Sequence, residues 1–496
     1  MTTDGKRILV RSGKAPHVVV SPEASLARNG WGVFGANVGN LLFTNSVFRA
    51  VNVRGATTVS DSLLTELPGG QADEYIDRIN NEFDLFVIPL ANAFRPQYEA
   101  SLKRLTTVIR RLKIPVVVTG VGVQALEVSE GGLSAGQQLD TSAREFMTAV
   151  LERSASVGVR GERTAAYLSA LGFGQRNVEI IGCPSLYDQA VAAPMVKRVD
   201  AITETSPLAI NITPSAPGIG GVVQHNVEKY RDLVYVPQEH HELGMLLWGD
   251  KIKHSDARLP LHADHELYRE DRIRFFVDPA SWYEFMRGRD FAFGTRIHGT
   301  IAALAAGTPG VLISHDERTR ELADYHRIPY HQADDSSVFD AAALYEGADF
   351  SEFNAFRAES FQRYTEFLEH NDVAHIFTPG NENPDYDAQL AATAYPEGVG
   401  PIGAAGTDAV AQLIDRVRWL RQGAGADKKR GHGGYVPPFR PAPGRNPDQK
   451  IIALQKRLDA AIARIEKLEA EPEAEPPTVR NRISAAAKKL RSTKSD

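Results

Sequence analysis

The segment Phe293–Pro309, FGTRIHGTIAALAAGTP, sets an arginine and a histidine two residues apart where a strand ends at Gly294 and a helix of small residues begins. Such a junction suits an anion, because a helix N-terminus exposes unpaired amides and the Arg296 guanidinium adds a planar fork of donors. The neighbouring His298 imidazole can give or take a proton near neutral pH. The same residues can also serve an N-capped helix with an internal salt bridge, since strand-turn-helix junctions recur throughout α/β proteins.

Further candidates sit at similar junctions. Arg160 closes the run SVGVR just before a helix, on the rim where α/β sheets bind ligands, although a lone arginine there also makes ordinary salt bridges. Gly120 and Gly122 follow VVVT and either admit a ligand close to the backbone or form a tight turn. In GANVGN, Asn37 and Asn40 precede an apolar helix starting at Leu41 and can bind ligand hydroxyls or cap that helix. The run Glu239-His240-His241-Glu242 lacks the spacing that puts two metal ligands on one helical face, so no metal is expected and His240 is read as pointing into a cleft. Cys183, before Pro184, reads as a small core residue rather than a nucleophile.

The elements that position these residues follow from hydrophobic periodicity. FVIPL (86–90) reads as a strand, and Leu102, Leu105, Val108, Ile109 and Leu112 lie on one face of a helix. With VVVT (116–119) they form a βαβ unit and imply a parallel sheet. A helix over 141–153, the strand ending at Arg160, a helix over 162–171 stopped by Gly172 and the strand VEII complete an N-terminal α/β domain over 1–190. After a linker (191–206), a second α/β domain over 207–377 carries the strands LAINI, LVYVP, RIRFFV, FAFG and GVLIS. Its helices cover 282–287, 297–306 and 318–325, and a long amphipathic helix covers 351–370. Two Rossmann-like domains with an interdomain cleft are the expected architecture.

Residues 378–447 read as a Pro/Gly-containing extension around one helix over 408–421. Residues 448–470 carry a short heptad pattern, a coiled coil or docking helix, and 471–496 form a basic, flexible tail. The extension from 448 to 496 is a candidate coiled-coil contact or, through its basic residues, a contact with an anionic membrane surface.

Composition narrows the function classes. The 496 residues, 43% hydrophobic, suffice for more than one core, and a net charge of −6 excludes a nucleic-acid partner as the default. A single cysteine fits a reducing compartment. The first residues lack the apolar core of a signal peptide, and no run of about 18 apolar residues is present. A cytoplasmic protein, at most peripheral at the inner face of a membrane, is expected.

GTRIHGTIAALAAGTPGVLIS followed by ERTRELADYHRIP resembles the C-terminal signature of the polysaccharide pyruvyl transferase family. SVGVRGERTAAYLSALGF, VVVTGVGVQA and GANVGNLLFTNSVFRAV are similar to three further blocks of that family, in the same order. The chain departs at Asn40, where the family usually has aspartate, at PLAN (89–92) in place of a glycine-rich turn, and at GCPS in place of Gly-Asp-Pro. The resemblance implies a glycosyltransferase-B-like fold, phosphoenolpyruvate as donor and a saccharide diol as acceptor. It carries over Arg160, Arg296 and His298 as donor-site residues, with His298 the general acid and no cofactor or metal required. A nucleotide-sugar-dependent glycosyltransferase of the same architecture and a catalytically degenerate scaffold in polysaccharide synthesis are the competing readings.

Overall fold

Parallel sheets need strands that are apolar on both faces, and the short β-branched runs of this chain supply them. The computed structural model describes residues 5–27, 33–124, 126–129, 132–188, 193–336 and 338–401, with 411, 413 and 414. In the first half, β1 (Arg7–Val10), β2 (Thr57–Ser60), β3 (Leu85–Pro89) and β4 (Val116–Thr119) form a parallel sheet in the order β2-β1-β3-β4. A small antiparallel hairpin follows, β5 (Glu127–Ser129) with β6 (Gly132–Ser134). Next, β7 (Val157–Val159) and β8 (Val178–Ile180) pair in parallel, and a bridge from Val121 to Val159 ties them to the chain leaving β4.

The second half repeats the winding. Here β9 (Leu208–Asn211), β10 (Leu233–Tyr235), β11 (Phe291–Gly294), β12 (Gly310–Ser314) and β13 (Tyr330–Gln332) make a parallel sheet in the order β10-β9-β11-β12-β13. In both sheets the first strand lies inside, the second takes its outer flank, and the third crosses to the other side. The winding therefore reverses between β1 and β3, and again between β9 and β11. Beyond the carboxyl ends of strands at such a reversal, open α/β sheets leave the crevice in which ligands bind.

Side-chain alternation covers both faces. On β3, Phe86 and Ile88 join one core cluster and Val87 joins the other, and β4 divides Val116 and Val118 from Val117 in the same way. The helix Glu99–Arg111 buries Leu102, Leu105, Val108 and Ile109, the face its spacing requires. Helix Val38–Val51 is buried nearly all round, Thr44, Asn45 and Ser46 included, because it packs on β1 and β3 and also on helices Pro279–Arg287 and Ile297–Ala305 of the second half. Its burial on both sides joins the two halves in one continuous core.

Three expectations change. The run RIRFFV makes no strand; Ile273 and Phe275 form isolated bridges to Tyr235 and Val399. Asp271, at φ 59°, turns the chain just before the run, and the run's backbone bonds divide between Tyr235 and Val399, so neither neighbour builds a ladder with it. Strand β1 is an addition, because RILV follows a polar start and no amphipathic helix pattern comes after it to mark a βαβ unit. The stretch after 378 is not all loop, since Asn383 caps a helix over Pro384–Ala392 by accepting from Tyr386 N at 3.2 Å. Tyr386 stacks on Phe48, and Asn383 Nδ2 donates to Asn52 O at 3.0 Å, fixing that helix to the first half.

Residues 1–440 belong to one compact unit and 441–496 to another. The second unit, with the heptads and the basic tail, and most of the helix expected over 408–421, lie outside the described residues. Among the described residues no helix is long and apolar enough to cross a membrane.

Lys14 follows β1 and forms an ion pair with Asp278, the residue just before helix Pro279–Arg287 of the second half; both side chains are 0% exposed. Lys14 Nζ also donates to Val18 O at 2.7 Å. Leaving one buried charge alone is costly, whereas removing both is nearly neutral. Lys14→Met is therefore expected to lose about 3–5 kcal/mol in urea unfolding, and Lys14→Met with Asp278→Asn to recover most of that loss. Equal losses in the single and double variants would show that shape rather than charge is at stake.

Candidate active site

The strand-turn-helix at 294–298 is held open by its neighbours. Asn211, at the end of β9, accepts from Arg296 N at 2.7 Å, and Arg296 Nε donates to Ile212 O at 3.0 Å. Arg296 Nη1 reaches Glu239 Oε1 at 2.5 Å, and the same oxygen accepts from Asn37 Nδ2 at 2.9 Å. Burial pushes the Glu239 carboxyl up, but the Arg296 guanidinium, the Asn37 amide and His241 together outweigh it and leave the group below its usual value.

Asn37 fills two posts at once, because its Oδ1 also accepts from Gly39 N at 2.8 Å and caps the helix Val38–Val51. Asn40 Nδ2 donates to Phe34 O at 3.2 Å and to Gly35 O at 3.1 Å. An aspartate could donate to neither carbonyl, so the asparagine here holds the loop in front of the helix.

His298 occupies the first turn of helix Ile297–Ala305 and lies against the first turn of helix Val38–Val51. A Cβ on Gly39 would sit 2.5 Å from His298 Nδ1, so only glycine lets the two helix ends meet there. Both N-termini present positive dipole ends to the ring. Among the described residues no hydrogen-bond partner faces either ring nitrogen. Burial, then Arg318, Arg160 and Arg296, push the imidazole down to about 3, so it is neutral at physiological pH.

Arg160 is more committed than its position on the rim foretold. Its Nε donates to Glu321 Oε2 at 2.8 Å, Nη1 to Ala91 O at 3.1 Å and Nη2 to Val123 O, with the side chain 3% exposed. Gly122 allows this, because a Cβ there would strike the guanidinium. Arg160 thus fastens the first half to helix Glu317–His326 of the second.

These groups border a cavity of about 690 Å³ that runs between the strand ends of the two sheets. Arg160, Arg296, His298, Asn37, Asn40, Gly120 and His240 line it. Gly122 and Gly294 do not; they sit behind it, against Arg160 and Asn211. His240 N donates to Ala36 O at 2.8 Å, and ligand atoms of Glu239, His240 and His241 lie within 4.8 Å of one another. Glu239 Oε1 is already held by Asn37 and Arg296. Cys183 borders the cavity but is buried, and burial pushes its thiol up, away from a thiolate.

Sequence reasoning missed four further arginines on the cavity wall: Arg11, Arg95, Arg104 and Arg318. Arg318 opens the helix after β12 much as Arg296 opens the helix after β11, so the same junction rule would have found it. Its nearest carboxylate is Asp316 at 3.4 Å, and burial holds its guanidinium below the usual value. Arg11 follows the unforeseen β1 and joins Glu66 at 2.7 Å, Pro89 O at 2.9 Å and Tyr98 OH at 3.2 Å. Among the described residues, the six arginines of the wall face two carboxylates there, Glu66 and Glu239. Such a cavity attracts a small anion carrying several charges.

His298 should therefore show no titration between pH 5 and 8 when its ring carbon protons are followed by NMR in the ligand-free protein. A midpoint near 6.5 would contradict the charge balance described. Because its folded value lies below its unfolded one, its contribution to stability is full above pH 6.5 and is lost as pH falls toward 3.

The protein-family model described as polysaccharide pyruvyl transferase matches residues 37–317, from the helix-capping Asn37 to the helix carrying Arg318. No curated protein matches the chain. Among solved structures, the chain is similar to the S. aureus MnaA–UDP co-structure at 9% identity and TM-score 0.37, covering 79% of this chain and 99% of that one. It is similar to UDP-GlcNAc 2-epimerase from Methanocaldococcus jannaschii in complex with UDP-GlcNAc and UDP at 8% identity and TM-score 0.40, covering 74% and 99%. It is also similar to Anabaena Alr3699/HepE in complex with UDP and glucose, at 13% identity and TM-score 0.36, covering 74% and 98%. The family match spans more than half of the chain and takes in Asn37, Asn40, Arg160, Arg296 and His298, and the chain belongs to the polysaccharide pyruvyl transferase family.

Proposed function

We propose that the protein transfers a pyruvyl group from phosphoenolpyruvate to two hydroxyls of a saccharide, forming a cyclic pyruvate ketal and releasing phosphate. The saccharide belongs to a polysaccharide, a glycolipid or a precursor of one. The two repeated windings, with the cavity between them, support a glycosyltransferase-B-like reading in which this cleft is the active site. The observation that carries the proposal is His298, without a hydrogen-bond partner among the described residues, where two helix N-termini and three guanidiniums converge.

Phosphoenolpyruvate brings a carboxylate and a phosphate on three carbons, the multiply charged small anion that such a wall favours. Arg296 and Arg318 hold its negative groups, and Arg160 keeps the wall in place through Glu321. The donor's charge also prepares the acid. One charge about 4 Å from the imidazole, at an effective dielectric of about 20, is worth ~4 kcal/mol, or roughly three pKa units. Phosphoenolpyruvate brings more than one such charge, so its binding raises the imidazole well above its ligand-free value of about 3, and the ring takes up a proton as the donor binds.

His298 then passes this proton to the methylene carbon, which becomes the methyl group and leaves the central carbon electrophilic. The first sugar hydroxyl bonds to that carbon and returns its proton to the neutral imidazole. The second hydroxyl attacks the same carbon, the carbon–oxygen bond to phosphate breaks, and the departing hydrogen phosphate carries away the second hydroxyl proton. The electron pair of the broken bond leaves with phosphate, which the arginines stabilise.

Incubation with phosphoenolpyruvate and a panel of saccharides should give phosphate release matched by acceptor mass gain of one pyruvyl ketal. His298→Ala should lower the rate about 100-fold or more, with an unchanged melting temperature. A nucleotide sugar consumed in place of phosphoenolpyruvate would replace this reading with glycosyl transfer. Inertness of a folded protein toward both donors across acceptors of all three classes would favour the degenerate scaffold.

A further inference from the structure

Most of the guanidiniums around the cavity are already spoken for. Arg11 is paired with Glu66, Arg160 with Glu321 and Arg296 with Glu239. Arg104 spends Nε on Glu66 O at 2.5 Å and Nη2 on Ser101 at 3.0 Å. Arg318 keeps only Asp316, at 3.4 Å.

Arg95 is different in kind. Among the described residues no carboxylate lies within ion-pair distance of it, its guanidinium makes no hydrogen bond, and its Nε is buried without a partner. The Tyr98 ring lies 6.0 Å from the guanidinium carbon, and Glu239 and Glu66, beyond ion-pair reach, support the charge less than burial opposes it. Its backbone is nonetheless firmly set. Phe94 N donates to Gly122 O and Gln124 N to Phe94 O, both at 3.1 Å. Phe94 packs on Phe146 and Tyr167, and Pro96 holds Arg95 extended, at φ −150° and ψ 149°. An unpaired cation presented from a rigid loop into a cavity is costly in the empty protein and points to an absent anion.

We infer that Arg95 is a donor ligand, and that phosphoenolpyruvate bridges Arg95 of the first half and Arg318 of the second, one anionic group at each. Burial holds both guanidiniums below their usual value, and Arg95 adds to that lowering at Arg318, so the two charges oppose each other across the cavity. A doubly anionic molecule between them removes that repulsion and pairs both. Arg95 lies in the loop that begins with PLAN, where the family's glycine-rich turn is replaced, so this grip comes with the chain's own departure from the pattern. The inference rests on the pyruvyl-transfer reading and adds to it that the donor is held from both halves rather than by the second alone.

The test uses the full chain with Arg95→Met and Arg95→Lys. Because Arg95 has no partner to lose, Arg95→Met should keep or raise the melting temperature of the ligand-free protein while abolishing the rise caused by phosphoenolpyruvate. KM for phosphoenolpyruvate should increase about 10- to 100-fold, with KM for the saccharide unchanged. Arg95→Lys, which keeps the charge but loses the fork, should fall between. An Arg95→Met protein that binds phosphoenolpyruvate as wild type does, or one whose saccharide KM alone rises, would overturn the assignment and leave pyruvyl transfer standing. A wild-type protein that does not respond to phosphoenolpyruvate would overturn the functional reading itself. If Arg95→Met does not fold, unchanged phosphoenolpyruvate affinity in Arg95→Lys overturns the assignment.

Discussion

Positive charge held partly out of water, with too few carboxylates to balance it, is the constraint on which the rest of this molecule turns. Guanidiniums cannot shed their protons, so crowding them around one cavity raises the free energy of the empty protein. The protein manages this by pairing half of them through fixed bonds, Arg11 with Glu66, Arg160 with Glu321 and Arg296 with Glu239. The nearby imidazole responds in the one way open to it and stays neutral. The ligand-free site is thus poised, and a small polyanion supplies both the missing counter-charge and the conditions under which His298 can carry a proton.

Everything that holds this arrangement works against solvent and repulsion. Two parallel sheets with the same initial winding turn their reversal points toward the same space, so loops from both reach it. Helix Val38–Val51, buried on both sides, brings its N-terminus to His298, and Gly39 makes the approach close enough for its dipole to act. Asn37, Glu239 and Arg296 form a relay from that helix to the turn at 294–298, while the ion pair of Lys14 with Asp278 pins the halves behind it. Without such anchors the guanidiniums would separate and the imidazole would regain its ordinary proton affinity.

Residues that reach the cavity through a single strand-turn-helix junction were legible in the sequence. Arg296, His298, Asn37 and Arg160 stand where a short apolar run gives way to polar residues and a helix, and periodicity finds such places. The parallel sheets followed from the same runs. Arg11 was hidden because no amphipathic helix pattern follows RILV to mark it as part of a βαβ unit, and the bridges at Ile273 and Phe275 escaped because the backbone bonds of RIRFFV divide between two separate neighbours. The commitment of Arg160 to Glu321 and the solitude of Arg95 depend on tertiary neighbours, which no local pattern encodes. The neutral state of His298 is likewise a sum over Arg318, Arg160 and Arg296, brought together only by folding.

If phosphoenolpyruvate completes this site by neutralising it, its binding also protonates His298. Calorimetry of phosphoenolpyruvate binding at pH 7, repeated in two buffers of different ionisation enthalpy, measures that proton directly. Binding with net proton uptake is expected of the wild-type protein, and binding without that uptake of His298→Asn. Binding with no proton uptake, or with the same uptake in both proteins, would show that the donor's charge does not reach the imidazole.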